Sequence, residues 1–241
     1  MTTTPATNVS ATPRDGSGAM FDRIAGRYDL LNRVISLGVD KRWRRRTVAA
    51  LEVEAGSRVV DVATGTADLA IAVAQATGAH VVGVDPSVAM LEIAQSKLQG
   101  LGIANSIQLL PGVAEQLPFE DRSFDAACMA LGIRNVPDRP QALRELWRVL
   151  KPGGRLGILE LSEPRRGILA PLARFHVHTV VPWIGSTLSG AHEYRYLQRS
   201  IAAFPAPQDF AAMLTEAGFE AASPVPLTLG VVHLYVAHRP A

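Results

Sequence analysis

The chain has 241 residues, 48% hydrophobic and 19% charged, which is enough apolar material for one well-buried domain and too little for a comfortable pair. Its 24 Lys and Arg against 22 Asp and Glu leave a net charge of +2, which singles out no nucleic-acid or acidic partner. The single cysteine, Cys128, excludes an intrachain disulfide and a Cys-rich metal site, and the apolar stretch Ala126–Ala130 around it predicts a buried, inert thiol.

Residues 1–18 are rich in Thr, Ala, Pro, Ser and Gly and lack a charged start followed by an apolar core. They read as a disordered tail rather than a signal peptide, ahead of a single domain over 19–241. No apolar run reaches the 18 or so residues that a membrane span needs, so the expected location is cytoplasmic. Met20–Arg46 reads as one or two helices punctuated by Phe21, Tyr28 and Trp43, within a helical cap over 20–50. Inside it Lys41-Arg42-Trp43-Arg44-Arg45-Arg46 places five cations in six residues. On a helix they are expected not to share one face, which makes a solvated surface the plain reading. A peripheral contact with the inner face of a membrane is the alternative, because each cation near anionic lipid contributes about 1 kcal/mol.

A strand–helix alternation follows. Arg58–Val62 is a β-branched strand, Thr64-Gly65-Thr66 a turn, and Asp68–Thr77 an Ala-rich helix. His80–Asp85 is a second strand, with a helix over Ser87–Leu98 and Ser87 as its N-cap. Ser106–Leu110 and Phe124–Ala130 are further strands, Arg139–Leu150 is helical and closed by Pro152-Gly153-Gly154, and Arg155–Leu161 is the fifth strand. Residues 165–204 form an insertion, apolar enough for a helical lid over the sheet's carboxyl edge. After a helix over Gln208–Ala217, strands at Ala221–Pro226 and Val231–Ala237 lie too close together for a parallel crossover and must pair antiparallel. The expected fold is therefore α/β, a mostly parallel sheet with a C-terminal antiparallel hairpin and a helical lid insertion, an arrangement that resembles the Rossmann-like sheet of class I methyltransferases.

The strongest local signal is Asp61-Val-Ala-Thr-Gly65-Thr66-Ala67-Asp68, where a tight turn after a strand lets backbone approach a ligand. Asp85 ends the next strand, where a carboxylate either accepts both hydroxyls of a ribose or caps a turn. The spacing Gly65-x-Ala67-x-x-Ala70 lacks two of the three glycines of a dehydrogenase's phosphate turn, so a nicotinamide dinucleotide fits poorly.

Several motifs carry a closer resemblance. Phe21-Asp22-Arg-Ile-Ala-Gly-Arg27-Tyr28-Asp29-Leu-Leu-Asn32 resembles the opening of the ubiquinone/menaquinone-biosynthesis C-methyltransferase family, and Gly132-Ile133-Arg134-Asn135-Val136 is similar to its most distinctive signature. Arg148–Gly154, Leu159–Pro164, Tyr194-Arg195-Tyr196-Leu197 and Ala217-Gly218-Phe219 follow, so the likeness runs from about Met20 to the end. It implies S-adenosyl-L-methionine as cofactor and a polyprenylated quinol as acceptor. Carried over by position, cofactor contacts fall on Gly65, Thr66 and Asp85, on Val113 and Ala114 beside the adenine, and on Ala130. The chain departs from the family at Ala67, Val113 and Ala130, where relatives usually carry Gly, Asp or Asn, and Ser. Tyr235 likewise stands where they often have histidine.

Methyl transfer to a quinol carbon needs no metal; it needs an aligned acceptor, exclusion of water, and donors for the phenolate oxygen as the proton leaves. Arg134 and Asn135, just after the fourth strand, suit oxyanion stabilisation and orientation; a salt bridge holding the loop is the alternative for Arg134. Arginine does not deprotonate in proteins, so Arg134 is expected at most to polarise a bound water that serves as base; His176, in the lid segment, is the other candidate base, against a structural role. Tyr28, Asn32, Tyr194 and Tyr196 resemble residues around the acceptor, with core packing the alternative for the tyrosines. The acceptor's ring, a naphthoquinol or a benzoquinol, stays open, as does a homodimer. Two other readings remain: a methyltransferase of the same lineage with another acceptor, and a non-catalytic adenosylmethionine-binding subunit.

Overall fold

Val59, Val60, Val81, Val82 and Val84 are all at most 5% exposed, because the strands that carry them are covered on both faces, the pattern of a parallel sheet flanked by helices. The computed structural model describes residues 18–36, 38–162 and 191–241. Two helices come first, α1 (Gly18–Ile35) and α2 (Asp40–Leu51), so Gly18 already belongs to a helix. The alternation then runs β1 (Arg58–Val62), α3 (Asp68–Thr77), β2 (His80–Asp85), α4 (Val88–Leu101), β3 (Ile107–Pro111), β4 (Phe124–Ala130), α5 (Arg139–Val149) and β5 (Leu150–Leu161). The described chain ends with α6 (Ala191–Ala202), α7 (Pro207–Glu216), β6 (Glu220–Leu227) and β7 (Val232–His238). The expected tail, the lid up to residue 190 and His176 lie outside the described residues.

The seven strands form one sheet in the order β3-β2-β1-β4-β5-β7-β6. β1 to β5 pair in parallel, and β7 runs antiparallel between β5 and β6, as expected. Helices α2, α3 and α4 cover one face through Leu51, Val73 and Leu98, and α5 and α7 cover the other through Leu143, Leu146 and Phe210. Trp43 of α2 packs on Leu159, Val232 and Leu234, and its Nε1 donates to Thr228 Oγ1 at 2.7 Å in the turn before β7. That pair pins the N-terminal helices to the far end of the chain.

Ser87 is the expected cap, its Oγ accepting from Met90 N–H at 3.2 Å. Helix α4 runs three residues past the expected Leu98, because Gly102 at φ +69° supplies the left-handed stop and returns its N–H to the last turn. β5 begins at Leu150 rather than Arg155. Pro152-Gly153-Gly154 does not close the helix, which ends at Val149, but forms a bulge within β5, with Gly153 N–H donating to Arg239 O at 2.9 Å and Arg239 N–H to Gly154 O at 2.9 Å.

The cations of α2 correct an expectation. Lys41, Arg42, Arg45 and Arg46 are all exposed. Spaced i, i+1, i+4, i+5 at about 100° per residue, they occupy a single arc of roughly 140°. Only Arg44 turns inward, to Asp40 at 2.7 Å and Asp68 at 3.0 Å. Four of the five cations do share one face.

Cys128 on β4 is fully buried against Asp61, and burial pushes its thiol well above the usual range. A thiol reagent should therefore leave native protein unmodified over hours and react fully once denaturant unfolds it. Stoichiometric labelling of the native protein, followed with a chromogenic disulfide, would contradict that burial.

Candidate active site

At β1 the strand order turns, with β2 on one side and β4 on the other, and a crevice opens at the carboxyl ends of these strands. The turn after β1 builds one wall. Gly65 sits at φ +56°, and a Cβ there would point toward the Tyr28 ring, 3.9 Å away. Ala67, where relatives usually have glycine, is held at φ +65° as the N-cap of α3. A left-handed L-residue there costs about 1–2 kcal/mol, and this strain is the physical sense of the family's glycine.

Asp85 closes β2 and ties the two strand ends together. One carboxylate oxygen accepts from Gly65 N–H at 2.8 Å, the other from Ser87 N–H at 2.9 Å. Burial raises its pKa, while those N–H donors pull it down. Beside it lies a cavity of about 280 Å³ whose walls include Tyr28, Gly65, Asp85, Val113, Ala114 and Asn135. A second recess of about 40 Å³ shares Tyr28 and Gly65 with it and adds Asn32, Asp61 and Thr66. Asp61 is fully buried there; desolvation raises it to about 7 against hydrogen bonds from Thr64 Oγ1 (2.6 Å) and Ala70 N–H (3.1 Å). A cationic ligand group in the recess would favour its ionised form.

Helix α1 roofs this space. Asp22 accepts from Ser87 Oγ at 2.5 Å. Asp29 accepts from Thr66 Oγ1 at 2.6 Å and from Lys97 Nζ at 2.9 Å, and Lys97 also meets Asp68. The Thr66 hydroxyl is thereby spent on the roof, leaving its backbone to face a ligand. This mesh of Asp29, Thr66, Asp68 and Lys97 was not legible beforehand, since its members are spread over 68 positions of sequence.

The opposite wall is the loop after β4. Ile133–Asn135 forms a short 3₁₀ turn, and the loop is gripped from two sides. Glu160, fully buried near the end of β5, accepts from Arg134 N–H at 3.1 Å and from Arg134 Nη1 at 2.7 Å. Arg139 donates to Ile133 O at 3.2 Å and to Arg134 O at 2.8 Å. Arg134 thus carries the ion pair that was its alternative reading, and it does not line the cavity; its Nε is buried without a partner among the described residues. Asn135 does line it. Tyr196 OH donates to Asn135 Oδ1 at 2.8 Å, which leaves the amide N–H groups as donors at the wall. Tyr28, hydrogen-bonded with Asn32, is raised by burial and lowered by the charge of Arg134. Nothing is described of the Tyr194 side chain. Glu160 had been given no role, although its signal, a carboxylate ending a strand at the ligand edge, was the one that singled out Asp85.

A model of the ubiE/COQ5 methyltransferase family matches residues 11–239. The chain belongs to that family. It is 46% identical to the ubiquinone/menaquinone biosynthesis C-methyltransferase UbiE of Syntrophotalea carbinolica, over 92% of this chain and 94% of that one. It is 45% identical to the demethylmenaquinone methyltransferase of Thermus thermophilus, over 92% of this chain and all of that one. Among solved structures, a putative methyltransferase bound to the Trm112 activator of Haloferax volcanii superposes with a TM-score of 0.69 at 20% identity, covering 95% of this chain and 100% of that one; this likeness concerns the fold alone.

This member of the family is an S-adenosylmethionine-dependent methyltransferase, and its residues fit the cofactor. Asp85 offers a buried carboxylate with free lone pairs beside a side-chain-free Gly65, the arrangement that accepts a ribose diol. Val113 is 44% exposed at the cavity rim and Ala114 buried beneath it, so an adenine there meets backbone and apolar surface. No group of three or more metal-binding side chains occurs among the described residues.

Asp85→Ala should weaken adenosylmethionine binding by more than tenfold, by removing the diol acceptor and loosening Gly65. Titration calorimetry of a variant shown to be folded checks this, and unchanged affinity would remove Asp85 from the cofactor site.

Proposed function

We propose that this enzyme methylates a ring carbon of a polyprenylated quinol, with demethylmenaquinol as the principal acceptor and a ubiquinol precursor as a second. Relatives at 45–46% identity over nearly the whole chain carry those activities in their names. The observation that carries the reading is the shared cavity: the Asp85–Gly65 cradle and the donor Asn135 face one space.

S-adenosylmethionine supplies a methyl group on a positively charged sulfur. The protein's part is to bind the ring, exclude water and stabilise charge on the ring oxygen. Phe21, Met90, Leu131 and Val136 give the cavity apolar walls suited to a flat ring. Asn135, its oxygen satisfied by Tyr196, donates to the ring hydroxyl as it loses its proton. Arg134 holds the loop through Glu160, which matches its charge, so its contribution to the phenolate is to position Asn135 rather than to make a direct contact. Since burial favours a neutral Tyr28 phenol, that residue acts as a hydrogen-bonding wall and not as the base. His176 remains the proposed proton acceptor.

Only the reduced ring is electron-rich enough to attack a sulfonium. Turnover of a demethylmenaquinone analogue should require a reductant such as dithionite and should not change with a chelator. Equal rates with the oxidised quinone would overturn the mechanism, and methylation of other phenols but no quinol would favour a different acceptor.

Asn135→Ala should lower kcat by about 10²–10³, the usual cost of deleting one oxyanion donor, and Tyr196→Phe by less, with cofactor affinity unchanged in both. Steady-state kinetics and calorimetry on the same preparations check this. A normal kcat for Asn135→Ala would move that residue from chemistry to architecture. Arg134→Ala is the poorer test, because leaving the Glu160 carboxylate buried and unpaired costs about 3–5 kcal/mol of stability.

A further inference from the structure

Helix α2 lies along the sheet, with its first turn at the carboxyl edge and its last at the amino edge. Trp43 packs beside Leu159 and Val232, while Arg155 pairs with Glu52 just past the helix end. Its outward arc carries Lys41, Arg42, Arg45 and Arg46, all exposed, and none of the four has an ion pair or hydrogen-bonded side chain among the described residues. An ordinary solvated helix intersperses acids with its bases; this arc contains none, its next exposed position being Ala49. Beside the first turn, in the loop that accepts the Trp43 hydrogen bond at Thr228, Leu229 is 60% exposed, the most exposed large hydrophobic residue described. Leu161 pairs with Val232 at the end of β5, so this loop also lies at the carboxyl edge, where the cavity opens.

From these observations we infer that the α2 face, with Leu229 at its margin, is a docking surface for an anionic lipid bilayer. Four cations in one arc, unpaired among the described residues, complement a plane of anionic headgroups, and one apolar side chain at the same edge reaches the layer beneath them. Arginine predominates, and its fork suits phosphate oxygens. The placement has a consequence for the proposed activity, on which this choice of partner rests: a lipid-soluble acceptor would be met at the edge of the sheet that holds the cavity. A double-stranded nucleic acid would also attract four cations, but it offers nothing to Leu229, and the chain's net charge of only +2 gives no wider basic surface to follow a duplex.

The test is sedimentation of the full chain with vesicles of phosphatidylcholine alone and with phosphatidylglycerol mixed in. Binding should require the anionic lipid and fall steeply with salt. The variant carrying Lys41→Gln, Arg42→Gln, Arg45→Gln and Arg46→Gln should lose at least about 100-fold in vesicle affinity, at roughly fivefold per cation. Its kcat on a short-chain, water-soluble quinol should stay unchanged, since none of the four lines the cavity. Leu229→Gln should weaken binding severalfold. Equal binding to both vesicle types, undiminished affinity in the quadruple variant, or tighter binding to a DNA duplex than to the vesicles would each overturn the proposal. Should the quadruple variant fail to fold, the salt dependence of the wild type and the Leu229→Gln affinity still decide it. Vesicle binding without methylation of any quinol would leave the surface standing and remove the proposed function, and methylation without vesicle binding would do the reverse.

Discussion

Everything at the site depends on where the strand order turns. β1 has β2 on one side and β4 on the other, so the helices that follow β1 and β4 leave toward opposite faces and cannot fill the gap between the strand ends. The edge is consequently a place where backbone N–H groups and strand-ending side chains meet, with helix α1 above them. Asp85 ends β2 and Glu160 stands one residue from the end of β5, and each accepts a backbone N–H from the segment that follows the neighbouring strand. One holds the turn after β1, the other the loop after β4. The two carboxylates thereby set the two walls of one cavity.

They do so in different electrostatic settings. Among the described residues Asp85 accepts only from backbone N–H groups, and it lines the cavity, which suits a ligand's hydroxyls. Glu160 is fully enclosed and matched by the Arg134 guanidinium at 2.7 Å, so it has nothing to offer a ligand. A buried pair of this kind adds little net stability over an apolar substitute, but it strongly disfavours any arrangement that separates its members. Its value here is to allow the 3₁₀ turn a single geometry, with Asn135 rather than Arg134 presented to the cavity. Polarity facing the cavity and polarity buried in the loop thus sit one residue apart.

The roof follows another logic. Helix α1 is fastened by Asp22 to the cap of α4 and by Asp29 to Thr66 and Lys97, contacts that are partly exposed and individually worth about 1 kcal/mol or less.

The alternation of β-branched runs, Ala-rich helices and glycine turns determined the sheet, its parallel sense and the closing hairpin, because strand period and connection length are local properties. Motif spacing likewise put Gly65, Asp85, Ala114 and Asn135 at strand ends, and a ligand edge follows from that alone. Tertiary structure decided what each polar group does with its valence. Arg134 and Asn135 are equivalent as a dipeptide, and only the approach of Glu160, 26 positions away, turns one inward and leaves the other facing the cavity. Thr66 lost its hydroxyl to a helix 37 positions earlier. The cations of α2 form one face because the packing of Trp43, Thr47 and Leu51 chose which side of that helix is buried; composition could count those charges, but the sheet beneath the helix decided where they point.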